Sequence, residues 1–123
     1  MRNRHLLLGE KGEDLAADFL ARKGLKIVAR RVRFKRGELD IVAKNGKEWV
    51  FVEVKTRSSS SMGTAAEAMT PTKLARMSRA VDEYAHLHNL GNAPMRCDLV
   101  TVDFDSDGKP EVCHYPGGIV FRS

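Results

Sequence analysis

Glu38-Leu39-Asp40-Ile41-Val42-Ala43-Lys44, the pair Asn45-Gly46, and Glu48-Trp49-Val50-Phe51-Val52-Glu53-Val54-Lys55 together read as two β-strands joined by a tight turn. Asn-Gly suits a two-residue type I′ turn, because both positions need a positive φ. Side chains alternate along a strand, so Trp49 and Phe51 lie on one face and Val50, Val52 and Val54 on the other. A strand apolar on both faces belongs at the centre of a sheet covered on both sides. Helices are therefore expected above and below it.

Working outward, the upstream segment supplies the first helix. From Gly9 to Lys23 the apolar residues Leu15, Ala16, Phe19 and Leu20 recur at helical spacing, and Gly24 is a C-terminal stop. Leu25 to Phe34 then reads as a strand in which Val32 and Phe34 alternate with arginines, giving it one basic side. Downstream, Ser58 to Ser61 with Met62-Gly63 reads as a short loop. Thr70-Pro71 is an N-cap followed by proline at the first helical position. Leu74, Met77, Val81, Tyr84 and Ala85 follow at helical spacing, which predicts a helix to about Leu90 with Gly91 as its stop. Met95 to Phe104 alternates as a strand, Asp105 to Gly108 is a turn, and Glu111 to Tyr115 is a short last strand. The expected fold is a single α/β domain over residues 1–123, with an α-β-β-β-α-β core around a mixed sheet.

Composition fits that reading and narrows the function classes. The chain has 123 residues, 42% of them hydrophobic and 30% charged, which is too apolar for a disordered chain. No apolar run approaches the ~18 residues of a membrane helix, and the opening Met1 to Leu8 followed by Gly9-Glu10-Lys11 does not read as a signal peptide. Cys97 and Cys113 are the only cysteines, lack zinc-site spacing and read as small core residues. A reducing cytoplasm is expected rather than a secreted disulfide scaffold. The formal net charge is +5, unevenly spread: Arg22 to Arg36 holds eight basic residues and no acidic one. Concentrated positive charge points to a polyanionic partner, whereas the plainer alternative is a solvated basic surface.

With Lys44 set opposite Lys47, Asp40 faces Phe51 and Glu38 faces Glu53. Asp40, Glu53 and Lys55 then share one side of the sheet, Asp40 and Glu53 being diagonal neighbours at ~7–8 Å. Carboxylates amid apolar strands require compensation, by a metal ion or by a cation such as Lys55. Mg²⁺ takes oxygen ligands and commonly borrows only one or two carboxylates from protein. A lysine beside such an ion can orient water and stabilise phosphate charge. The alternative reading of the same three residues is a structural ion-pair network.

Gly37-Glu38-Leu39-Asp40 followed by Phe51-Val52-Glu53-Val54-Lys55 resembles the PD-(D/E)xK nuclease signature, with Leu39 in place of the proline. With Gly9 to Ala16 added, nearly the whole chain resembles the YraN family of uncharacterised bacterial proteins. The resemblance implies a restriction-endonuclease-like fold related to Holliday junction resolvases. It further implies Asp40 and Glu53 as ligands of Mg²⁺ or Mn²⁺, Lys55 as an aid to hydrolysis, and Glu13 as a helical glutamate approaching the metal. The implied substrate is DNA, branched or damaged, and the analogy with resolvases suggests a homodimer. Basic residues expected to meet the nucleic acid are Arg30, Arg31, Arg36, Arg57, Lys73 and Arg76. A catalytically silent binding module and a protein-interaction subunit are the competing classes.

Overall fold

The computed structural model describes residues 4–58 and 69–121, with side chains from Leu7 onward. Of the loop expected from Ser58 to Gly63, Ser58 instead closes a strand and residues 59–63 lie outside the described residues. The elements are α1 (Arg4–Arg22), β1 (Lys26–Phe34), β2 (Gly37–Asn45), β3 (Glu48–Ser58), α2 (Pro71–Leu87), β4 (Met95–Phe104) and β5 (Pro110–Ile119). The strands form one sheet in chain order, antiparallel throughout except for the parallel pair β3 and β4 that α2 connects. This is the mixed sheet anticipated, and its α-β-β-β-α-β order is consistent with a restriction-endonuclease-like core.

β3 is central, as its two apolar faces require. Val50 and Val52 join Ile41, Ala43, Val100 and Val102 under Ala16 and Leu20 of α1. On the opposite face Phe51 packs with Leu39, Val42 and Leu99 against Met77, Ala80, Val81 and Tyr84 of α2. Trp49 and Phe51 both rest on the Tyr84 ring, with centroids 6.0 and 5.7 Å away, and so belong to the core. Two glycines bring the helices close to the strands. Any side chain at Gly12 would collide with Thr56 of β3, and one at Gly37 with the Arg76 carbonyl of α2.

Several boundaries differ from the sequence reading. α1 begins at Arg4, ahead of Gly9. α2 is capped by the Thr70 hydroxyl, which accepts from Lys73 N, but it ends at Leu87, short of Leu90. Asn89, at φ 52°, turns the chain before Gly91. The last strand runs to Ile119, well past Tyr115. Cys97 is buried in the core, but Cys113 is only half-buried and lies outside both core clusters.

The hairpin register is also corrected. Asn45 pairs with Glu48 and Lys44 with Trp49, so the turn is Gly46-Lys47 rather than Asn45-Gly46. Gly46 supplies the positive φ, at 64°. Packing accounts for the choice. The observed register sets Ile41 against Val52, Val42 against Phe51 and Ala43 against Val50. The expected one would have set Ala43 against Glu48 and Asp40 against Phe51. Burial of apolar pairs on both faces outweighs the local preference for Asn-Gly at the turn.

Candidate active site

The corrected register brings Asp40 directly opposite Glu53, one step beyond the last paired residues, Ile41 and Val52. There the strands part. The Val54 N–H donates to Asp40 Oδ2 at 2.8 Å, so a side chain takes the place of backbone pairing. Face alternation breaks at the same point: Leu39 and Val42 pack towards α2, whereas Ile41 and Ala43 pack towards α1. β1 is irregular beside it. The β1–β2 register slips between Ile27 and Ala29, and Arg31, across from Asp40, has φ 53°. A left-handed non-glycine residue is uncommon, and together with the bulge it bends the edge strand around the gap.

The Asp40 and Glu53 carboxyl groups lie within hydrogen-bonding reach of each other. Two carboxyl groups this close can bond only when one holds a proton. Burial, followed by the charge of Asp40, pushes Glu53 up to about 9. Asp40 is also raised, chiefly by burial. At neutral pH the pair therefore holds a proton where a cation would fit. Its donors are hard carboxylate oxygens, suited to Mg²⁺ or Mn²⁺. Among the described residues no group of three or more His, Cys, Asp and Glu gathers, so an ion here would keep water in its coordination shell.

Two cavities flank this point. One of 390 Å³ is bordered by Glu13, Arg31, Arg33, Glu38, Asp40 and Lys55. The other, of 180 Å³, is bordered by Glu38, Glu53, Lys73, Arg76 and Met77. Lys55 is within hydrogen-bonding reach of Lys73, and that contact, reinforced by burial, lowers its pKa below the ordinary lysine value. Asp40, Glu53, Lys55, Lys73 and Arg76 thus gather around one place.

Glu13 borders the first cavity, but its carboxylate is engaged by arginines. Oε1 accepts from Arg31 Nε at 3.0 Å and from Arg30 Nη2 at 3.2 Å. Arg30 also reaches Asp14 at 2.6 Å. Arg30 and Arg31 therefore tie α1 to β1 beside the cavity. Arg57 is largely buried in a two-pronged pair with its strand neighbour Asp103, at 2.6 and 3.0 Å, so its guanidinium lies within the sheet. Arg36 stands exposed in the β1–β2 turn.

Two features escaped the sequence reading. Asp98 is fully buried and receives Arg96 Nε at 3.0 Å, Gly117 N at 2.8 Å and His114 Nε2 at 2.8 Å. The carboxylate accepts from Nε2, leaving His114 Nδ1 to accept from Lys23 at 2.8 Å. The only advance signal was an aspartate within an apolar strand. Thr101, in register with Lys55, buries its hydroxyl without a hydrogen-bond partner among the described residues.

A mixed sheet between two helices, with a carboxyl pair where its strands part, defines an α/β domain of restriction-endonuclease-like architecture. Within that class the chain belongs to the uncharacterised protein family UPF0102, whose model matches residues 12–102. It is 48% identical to a UPF0102 protein of Shewanella sediminis over 77% of this chain and 80% of the relative. It is 45% identical to one of Symbiobacterium thermophilum over 83% and 86%, and 41% identical to one of Mycolicibacterium vanbaalenii over 89% and 91%. Among the described residues no helix is long and apolar enough to cross a membrane.

Proposed function

We propose that this protein is a metal-dependent phosphodiesterase acting on nucleic acid, DNA in the first instance. The observation that carries the reading is the contact between the half-buried Asp40 and Glu53 carboxyl groups at the gap between β2 and β3. Both side chains would hold Mg²⁺ or Mn²⁺, exchanging their shared proton for the ion. The bound ion supplies Lewis acidity and a more acidic water. Val54 N–H fixes Asp40 from behind, so the carboxylate does not have to reorganise. Lys55 offers an ammonium to the scissile phosphate, and Lys73 and Arg76 extend positive charge along its approach.

The test is cleavage of linear, single-stranded and branched DNA by purified protein with each metal. Wild type should cut at least one of them, and Asp40→Ala should abolish cutting while leaving DNA binding and folding in place. Failure to cut any substrate with either ion would overturn the reading. The engagement of Glu13 by Arg30 and Arg31 favours a second one, a nucleic-acid-binding module without turnover. That module would bind DNA without cleaving it, with affinity falling steeply as salt rises.

A further inference from the structure

Lys55 and Lys73 approach each other within hydrogen-bonding reach, although two ammonium groups are both donors and repel. They come from different elements, Lys55 from the central strand and Lys73 from the first turns of α2. Nothing in the helical periodicity requires the meeting. It is set by the Thr70 cap, which starts α2 here, and by Gly37, whose missing side chain lets the Arg76 backbone approach β2. Arg76 lies one turn beyond Lys73 and borders the same 180 Å³ cavity. The carboxylates facing these cations do not balance them. Glu53 is paired with Asp40, and the exposed Glu38 sits 3.7 Å from Arg33. Lys73 and Arg76 border this cavity and Lys55 borders the neighbouring 390 Å³ one, so three cations converge from two sides: an oxyanion between the two lysines turns their repulsion into two charge-assisted hydrogen bonds.

We propose that Lys55, Lys73 and Arg76 form a preassembled receptor for a phosphate group, with Lys73 as a substrate-positioning residue supplied by α2. The inference deepens the phosphodiesterase reading and rests on it for the identity of the natural ligand, a nucleic-acid phosphate. Recognition of the anion itself requires neither a metal ion nor turnover.

The experiment is calorimetric titration with inorganic phosphate in metal-free buffer at constant ionic strength. Wild type, Lys73→Gln, Lys73→Arg, Arg76→Gln and Lys109→Gln would be compared, the last removing a charge in the exposed β4–β5 turn. Wild type should show saturable binding, weakened about tenfold by Lys73→Gln or Arg76→Gln through loss of a charge-assisted hydrogen bond. Lys73→Arg should restore it, and Lys109→Gln should leave it unchanged. Matching urea midpoints for wild type and the variants would exclude unfolding as the cause. No saturable heat with wild type would overturn the receptor, as would equal affinity in wild type, Lys73→Gln and Arg76→Gln. Absence of cleavage with intact phosphate binding would count against the phosphodiesterase reading alone.

Discussion

Asp40 and Glu53 bring their carboxyl groups within hydrogen-bonding reach at the place where the β2–β3 ladder stops, and Asp40 accepts the Val54 N–H that the ladder would otherwise have paired. Two acidic groups are thus forced together by strand geometry, one of them stabilised by backbone and both short of water.

The pH dependence of stability follows in sign. Glu53 has a folded value near 9 and an ordinary carboxylate value when unfolded, so between about 4.5 and 9 the native state holds a proton that the unfolded chain has lost. The stabilisation is complete below the unfolded value and is lost as pH rises through the folded one. Native stability should fall with rising pH by up to about 1.4 kcal/mol per unit from this proton alone. Glu53→Gln should flatten that slope in urea melts from pH 5 to 9. An unchanged slope would refute the assignment.

Metal binding should displace the same proton. Calorimetry with Mn²⁺ in buffers of different ionisation enthalpy should show buffer-dependent heats, and affinity should rise between pH 6 and 8 by up to about tenfold per unit. Asp40→Ala should lose the site. Equal Mn²⁺ affinity in Asp40→Ala and wild type would remove Asp40 from it.

Gly12 sets how closely α1 approaches the sheet. Gly12→Ala gains helix propensity but meets the Thr56 side chain, and overpacking of this kind costs about 1–3 kcal/mol. Pairing it with Thr56→Ala should recover much of the loss. Additive effects in the double-mutant cycle would show that the two do not touch.

Asp98 gathers donors from Arg96, His114 and Gly117, and removing it leaves buried partners without an acceptor. Asp98→Ala should cost about 3–5 kcal/mol in urea unfolding. Because the network ties β4 to β5 and to Lys23 in the turn after α1 rather than to Asp40 or Glu53, Mn²⁺ affinity of the folded variant should be unchanged. A loss well below this range would mean that the network relaxes around the deletion.

Thr101→Val keeps the shape of the side chain and deletes a buried hydroxyl that has no partner among the described residues. Stability should rise by about 1 kcal/mol, read as a higher urea midpoint. Destabilisation would mean that the hydroxyl is satisfied in solution.

Local signals in the sequence proved sufficient for the elements. Thr70-Pro71 announced α2, the doubly apolar run from Trp49 to Val54 announced a central strand, and both readings needed only neighbours in sequence. The register of the hairpin was not legible from Asn45-Gly46, because it is settled by apolar pairs on both faces rather than by the turn. The proximity of Asp40 to Glu53 was anticipated through regular alternation, yet the alternation fails there. Arg31 takes up a left-handed conformation that no glycine marks. Likewise Asp98, His114 and Lys23 meet across two strands and the turn after α1, and spacing along the chain carries no trace of that. The arginine partners of Glu13 were visible only as a basic strand.

The bend in β1 has a consequence for how copies of this protein behave in a crowded solution. β1 is an edge of the sheet, and a straight edge strand offers unpaired backbone groups to any other strand that drifts alongside. The slip near Val28, the left-handed Arg31 and the arginines on either side break that row of groups and charge it with one sign. The distortion that shapes the wall of the cavity therefore also opposes growth of the sheet from molecule to molecule, so straightening β1 would raise the tendency to aggregate.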